Sequence, residues 1–368
     1  MKISRIARIG AIGAVAALAL AGCAANEPAT GGSSSEEPSA SALSGTLDAT
    51  GASSQTAAQE AWVAAFQTAN PEVTVNYEPT GSGTGRENFL AGASNFIGSD
   101  RAFNADEIAA GGFGTCVTDD IVEIPVYISP VAVAFNLEGV DSLNLDAATI
   151  ASIFAGTITN WNDSAIATLN PDATLPDLAI SPVHRSDPSG TQETFTKYLS
   201  ATAPSIWTYE VSDEWPIQGG EAAQGTSGVV QAITSGNGAI GFADASQVGD
   251  LGQVHVGVNG EFVAYSAEAA SQLVEGATLE SGRGAGDLAF DVDPAAAADG
   301  AYPIALVSYL IGCEQYEDEN VAELVKEYFT YVASAEGQDA AAENAGNAPI
   351  SDGLREQVNA AIDLIQVG

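Results

Sequence analysis

Short runs of β-branched and aromatic residues alternate along this chain with longer stretches whose apolar positions recur every three or four residues. Residues 73–77, 121–127 and 131–135 read as strands, bounded by Pro, Gly or Asn. Over residues 55–69 the apolar positions fall at Ala58, Trp62, Ala65 and Phe66, the spacing of one helix face. The same spacing predicts helices over 147–154, 228–234, 267–273, 321–332 and 353–365, whereas residues 287–300 are acidic and loop-like. Strands that alternate with helices predict an α/β fold, and no solenoid repeat interrupts the pattern.

The run at residues 125–136 predicts a pair of strands broken at Ser129-Pro130, as if the chain leaves one domain there and enters another. Residues 302–307 form a second apolar strand of the same character. Two such crossings fit two α/β lobes joined by a hinge, lobe I comprising residues 45–130 and 302–368 and lobe II residues 131–301. A length of 368 residues is enough for both.

Charge changes the picture. The chain has 48 Asp and Glu against ten Lys and Arg. Three of the ten, Lys2, Arg5 and Arg8, precede an apolar run at 9–21 that is too short for a comfortable membrane span and ends in Leu20-Ala21-Gly22-Cys23. This reads as a signal peptide over 1–22 with a bacterial lipobox. Cys23 then becomes the lipidated first residue of an extracytoplasmic protein anchored to the cell membrane. Residues 23–44 are small, polar and acidic and read as a flexible tether. Without residues 1–22, seven basic groups face 48 acidic ones, a net charge of about −41. That field repels nucleic acid and anionic headgroups, so neither is expected as a partner and the lipid is the link to the membrane.

With Cys23 lipidated, Cys116 and Cys313 remain, and two leftover cysteines in an exported protein most simply form a disulfide. His184 and His255 have no second Cys or His at ligand spacing, so neither metal nor cofactor is expected.

Four Gly/Ser-rich segments carry the candidate chemistry: Thr50-Gly51-Ala52-Ser53-Ser54-Gln55, Gly81-Ser82-Gly83-Thr84-Gly85-Arg86, Ile97-Gly98-Ser99-Asp100-Arg101 and His184-Arg185-Ser186-Asp187-Pro188-Ser189-Gly190-Thr191. Three of them precede a predicted helix, where backbone N–H groups and the helix dipole favour an anion. The last adds a guanidinium and two hydroxyls, the donors a tetrahedral anion needs. The second lacks the Gly-Lys-Ser/Thr ending of a nucleotide-binding loop.

Together these segments resemble the phosphate-binding (PstS-type) proteins of bacterial ABC phosphate importers. The resemblance runs from about Gly45 onward and is most specific at Arg185-Ser186-Asp187-Pro188-Ser189-Gly190-Thr191. It also includes Ile124-Pro125-Val126, Val131-Ala132-Val133-Ala134-Phe135-Asn136 and Ile153-Phe154-Ala155-Gly156-Thr157-Ile158-Thr159-Asn160-Trp161-Asn162. The paired cysteines resemble those of actinobacterial lipoprotein members.

The resemblance implies an α/β periplasmic-binding-protein (Venus flytrap) fold with two hinge crossings. A monomer would capture hydrogen phosphate between its lobes and deliver it to ABC permease transmembrane subunits, without enzymatic turnover. It implies a hydroxyl from Ser53 where the family has Thr, and backbone groups from Ala52 and Ser54. Ser82 supplies hydroxyl and N–H, Asp100 is the acidic ligand, and Arg185, Ser189, Gly190 and Thr191 complete the cradle. Asp187 orients Arg185, and Pro188 removes one N–H. A carboxylate beside an anion is selective: hydrogen phosphate has a proton to donate to Asp100 and sulfate has none.

Arsenate, sulfate or molybdate binding are the neighbouring alternatives, and Asp100 argues against the fully deprotonated ones. Sensing or adhesion on the same fold also stays open. An enzyme is the alternative of another class. Ser189, between Pro188 and Gly190, lacks the nucleophile-elbow pattern, and two histidines supply no phosphatase metal cluster.

Overall fold

In the computed structural model, which describes residues 43–368, the chain opens with β1 (Gly45–Gly51), α1 (Thr56–Ala69), β2 (Val73–Glu78), α2 (Ser82–Leu90), β3 (Phe96–Ser99) and α3 (Ala105–Ala110). The long β4 (Ile121–Phe135) leads to β5 (Ser142–Leu145), α4 (Ala147–Phe154), α5 (Ser164–Leu169), β6 (Ser181–Arg185), α6 (Gly190–Thr202), β7 (Glu221–Ala223), α7 (Gly225–Ser235), β8 (Ala239–Asp244), β9 (Gly252–Val258), β10 (Glu261–Val263) and α8 (Ala267–Glu275). A small hairpin of β11 (Thr278–Leu279) and β12 (Phe290–Asp291) precedes β13 (Ala305–Cys313), β14 (Gln315–Tyr316), α9 (Glu319–Ala333), α10 (Ala335–Ala345), α11 (Asp352–Ile362) and β15 (Gln366–Val367). The expected signal peptide, the lipidated Cys23 and nearly all of the tether lie outside the described residues.

Strand pairing runs β2-β1-β3-β13-β4 and continues β4-β8-β6-β7, with β9 also on β4 and β5 and β10 on β9. β4 joins the two halves. Nine of its first ten residues pair with β13, from Ile121↔Cys313 to Pro130↔Ala305, and Val131–Phe135 pair with β8. All 15 of its residues are buried, which is why the run reads as continuously apolar rather than alternating.

The expected break at Ser129-Pro130 is absent: β4 passes through it unbroken. A residue before proline favours extended backbone, and Pro130 sits where β4 changes partners, so its missing N–H leaves no ladder bond unmade. Val131 N–H resumes bonding, to Ile304 O at 2.8 Å. Pro125 has a different consequence. The register steps from Ser308↔Tyr127 to Tyr309↔Pro125, so Val126 is an extra residue and β4 bulges there. The Val126 carbonyl accepts from buried Gln338 Nε2 at 2.9 Å instead.

Most predicted helices are present with shifted ends. α7 begins at Gly225 rather than 228, and α11 stops at Ile362, after which the chain extends into β15. α10 has no counterpart in the sequence reading; it is small-residue-rich and docks on α1, where Trp62 Nε1 donates to Gly337 O at 2.7 Å. The acidic segment 287–300 is not wholly irregular. It carries β12, and Leu288 N–H bonds Glu123 O at 2.9 Å, tying the hairpin back to the first half of β4.

The disulfide links Cys116 to Cys313 across 197 residues, fastening the loop after α3 to the end of β13. Among the described residues no helix is long and apolar enough to cross a membrane.

Candidate anion-binding site

Four helix N-termini meet where the two halves face one another. The loop Gly51 to Gln55 feeds α1, Gly81 precedes α2, Ser189 caps α6 and Gln224 precedes α7. First-turn N–H groups of a helix have no intrahelical partner, so the four ends concentrate donors and positive dipole ends. Glycine permits the crowding. A Cβ on Gly51 would collide with the Gly98 carbonyl oxygen, and one on Gly190 would lie 2.6 Å from the Asp100 Cβ.

Contacts between these segments span the halves. Ser53 Oγ lies 3.0 Å from Thr226 Oγ1 and accepts the Thr226 N–H at 3.0 Å. Gln247 Nε2 donates to Ser53 O at 2.9 Å. Gly83 N–H donates to Pro188 O at 3.1 Å, and Thr191 Oγ1 donates to Asp100 Oδ2 at 2.7 Å. The halves are therefore closed on one another.

Asp100 is the focus. It is buried at the end of β3, and its backbone N–H donates to Ser82 Oγ at 3.1 Å. Oδ1 accepts from Ser54 Oγ at 2.5 Å and from Ser308 Oγ at 2.7 Å. With Thr191 on Oδ2, three hydroxyls donate to a carboxylate that has about four acceptor positions, leaving one on Oδ2. Arg101, its neighbour in sequence, does not pair with it. It bonds Glu107 at 2.6 Å and Glu193, on α6, at 2.9 Å.

Arg185, at the end of β6, is buried and held by Asp187: Nε donates to Oδ1 at 2.8 Å and Nη2 to Oδ2. Asp187 also accepts the Gly225 N–H at 3.0 Å, coupling the guanidinium to the start of α7. Gln192 fixes the strand end, accepting the Arg185 N–H at 3.0 Å and donating to Asp213 O at 2.9 Å. Ser189 gives its N–H to Asp213 O at 2.9 Å, while its Oγ accepts the Gln192 N–H at 3.4 Å as an N-cap.

The structure thus brings together Ser53, Ser54, Ser82, Asp100, Arg185, Asp187, Ser189, Gly190 and Thr191. Ala52 has a different role from the one expected. Its N–H bonds Gly98 O at 2.8 Å and its carbonyl accepts Tyr77 Oη at 3.0 Å, so both backbone groups hold the loop itself.

The sequence reading missed four polar groups. Thr226 begins α7 in Gly225-Thr226-Ser227-Gly228, the composition that marked the other segments. Ser308 is the one serine in the apolar strand that continues from the run 303–307. Gln55 supports Ser308 from the start of α1. Asp213 carried no signal; it receives Arg86 Nη2 at 2.7 Å, an ion pair between the halves. Burial pushes the Arg86 guanidinium down, with Arg101 adding to it and Asp213 opposing, and burial pushes the Glu193 carboxyl up against the pull of Arg101.

Comparison with known proteins agrees with this architecture. A family model described as a PBP superfamily domain matches residues 36–336. The phosphate-binding protein PstS3 of Mycobacterium bovis is 35% identical over 99% of this chain and all of the relative. PstS 3 of Mycobacterium leprae is 33% identical, with 94% of this chain and 95% of the relative covered. A crystal structure of a phosphate-binding protein from Stenotrophomonas maltophilia superposes with a TM-score of 0.65 at 21% identity, covering 86% of this chain and 94% of that one. That likeness establishes the two-lobed fold. With the family match spanning most of its length and mycobacterial relatives aligned nearly end to end, the chain belongs to the PstS-type phosphate-binding proteins of the PBP superfamily.

Proposed function

We propose that the protein is an extracytoplasmic lipoprotein that captures hydrogen phosphate between two lobes and hands it to an ABC permease. Residues 45–130 and 302–368 make one lobe and 131–301 the other, with Cys23 lipid-anchored and the protein monomeric. The ligand is bound and released unchanged.

The observation that carries this reading is a buried carboxylate set among anion donors. Ser53, Ser82 and Ser189 offer hydroxyls, Ser54, Gly190, Thr191 and the helix starts offer N–H groups, and Arg185 offers the guanidinium edge that Asp187 does not engage. A strongly acidic protein has no long-range attraction for a dianion, so local dipoles and one buried cation must supply it. The remaining acceptor position on Asp100 Oδ2 suits the single proton of hydrogen phosphate. Sulfate would bring two acceptors face to face with no proton between them, a loss of several kcal/mol by the cost of a buried, unpaired charged group. Closure around the ligand gives the permease a form that the empty protein rarely adopts.

Calorimetric titration of the purified protein with phosphate and with sulfate, at pH 7 and pH 8, tests the reading. Tight phosphate binding without sulfate binding is expected, and Arg185→Ala should abolish it. Equal binding of both anions, or unchanged phosphate binding by Arg185→Ala, overturns it.

A further inference from the structure

A line of four buried polar side chains runs from α9 to Asp100. Tyr328 Oη donates to Gln59 Oε1 at 2.8 Å, and Gln59 Nε2 donates to Gln55 Oε1 at 2.9 Å. Gln55 Nε2 donates to Ser308 Oγ at 2.7 Å, and Ser308 Oγ donates to Asp100 Oδ1 at 2.7 Å. Each of the four is at most 2% exposed. All lie in the half of the molecule built on β1, β3 and β13, and none of them belongs to the Arg185 motif.

The direction of the line follows from its chemistry. Gln55 also faces the Tyr309 carbonyl at 3.0 Å, and a carbonyl only accepts, so the amide atom there is Nε2. That nitrogen gives its second hydrogen to Ser308. The other end of the Gln55 amide is an acceptor, so Gln59 must present Nε2 to it and keep Oε1 for the Tyr328 hydroxyl. Because Ser308 Oγ receives a hydrogen from Gln55, its own proton points onward. Asp100 Oδ1 at 2.7 Å is a better acceptor than Ser99 O at 3.2 Å, being charged and closer. Every donor therefore points toward Asp100, and bonds aligned in this way polarise one another.

We propose that Tyr328, Gln59, Gln55 and Ser308 form a positioning relay that sets the selectivity of Asp100. The proposal rests on the phosphate reading and deepens it. With Ser308 and Ser54 both donating into Oδ1, that oxygen has no place for a proton. A proton shared between Asp100 and a bound anion must lie at Oδ2 and come from the anion. Were the Ser308 hydrogen turned away, the carboxylate would lose a donor that stabilises its charge, and an Asp100 protonated on Oδ2, which donates to a fully deprotonated oxyanion, would become accessible. The relay fixes Asp100 as an acceptor and so excludes anions that have no proton to give.

The test compares phosphate binding with competition by sulfate in the parent and in Ser308→Ala, Gln55→Glu and Tyr328→Phe. Ser308→Ala deletes the last donor with little change of volume. Gln55→Glu keeps the shape but draws the Ser308 proton away from Asp100, and Tyr328→Phe shortens the relay at its far end. A hydrogen bond to a charged group corresponds to about a tenfold to hundredfold change in an equilibrium. The phosphate-to-sulfate affinity ratio should fall by about that factor in Ser308→Ala and Gln55→Glu, and by less in Tyr328→Phe. A purely structural contribution would weaken both anions together, so an unchanged ratio in a folded Ser308→Ala protein overturns the relay. If the parent itself fails to distinguish the anions, the phosphate reading falls, and the relay falls with it.

Discussion

Gly190 is the position where a single added methyl group has the most direct consequence. In the closed protein its Cα faces the backbone of Asp100, and a Cβ would lie 2.6 Å from Asp100 Cβ, 2.7 Å from its carbonyl carbon and 2.9 Å from Arg101 N, whereas ordinary contacts begin at 3.4 Å. The obstructing atoms are mostly main chain and have no rotamer to escape into. In Gly190→Ala the two halves must stop about 1 Å short of full closure, given close-packed contacts. A gap of that size stretches the Thr191–Asp100 bond, now 2.7 Å, beyond hydrogen-bond range and loosens the Gly83–Pro188 bond beside it. One neutral bond and one to a charged group are together worth roughly 2–4 kcal/mol, which is about a thirtyfold to thousandfold loss of phosphate affinity. The obstruction exists only between the halves. Thermal unfolding without phosphate should therefore stay within about 2 °C of the parent, as for a surface change. Calorimetry gives the affinity and solution scattering the degree of closure. Phosphate affinity within threefold of the parent would refute the reasoning.

Three other outcomes are expected. Burial pushes the Asp244 carboxyl up from 3.8 to about 6, against hydrogen bonds from Ser246 and Tyr127. A raised carboxyl pKa in the folded state contributes stability that is complete below the ordinary value and lost as pH rises through about 6, roughly 3 kcal/mol over that window. Asp244→Asn should thus show a flatter dependence of urea-unfolding free energy between about pH 4 and pH 7, and parallel curves for the two proteins would contradict the assignment. Reducing the Cys116–Cys313 bond, or replacing both residues by Ser, releases a loop of 197 residues. The chain-entropy relation puts the loss near 5 kcal/mol, to be read from guanidinium unfolding with and without reductant, and a loss below about 1 kcal/mol would contradict it. Arg101→Met and Glu193→Gln, which separate an ion pair between the halves, should each weaken phosphate binding with non-additive effects in the double variant. Strict additivity would place that pair outside the closure step.

What could be read in the sequence was local. The Gly/Ser-rich segments were legible because donors before a helix leave a compositional trace, and Arg185 stood out because the chain has so few cations. The continuity of β4 was not legible. A proline marks a turn far more often than the point at which a strand exchanges neighbours, and only the register against β13 and β8 distinguishes the two. Ala52 was misread for a related reason: whether a backbone group faces a ligand or another strand depends on the approach of β3 at Gly98, which no spacing reveals. Gln55 stands at the N-cap of α1 and Gln59 sits one turn further on, on its buried face. That is a detectable anomaly in a core-facing stripe, but their partners, Ser308 and Tyr328, come from more than 250 residues away. Contacts of that range belong to topology.

The position of β13 between β3 and β4 has a bearing on how the protein comes into being. β3 and β4 are not hydrogen-bonded to each other, and the strand that separates them is residues 305–313. As the chain emerges N-terminus first, the strands before residue 136 must wait with unpaired edges while 131–263 emerge and assemble around the second part of β4. The first-made half is the last to be completed, and Cys116 finds no partner until Cys313 has been made. A truncated chain ending before β13 would present two open sheet edges and an unpaired Cys116 thiol, which is the form that quality control would have to recognise and clear.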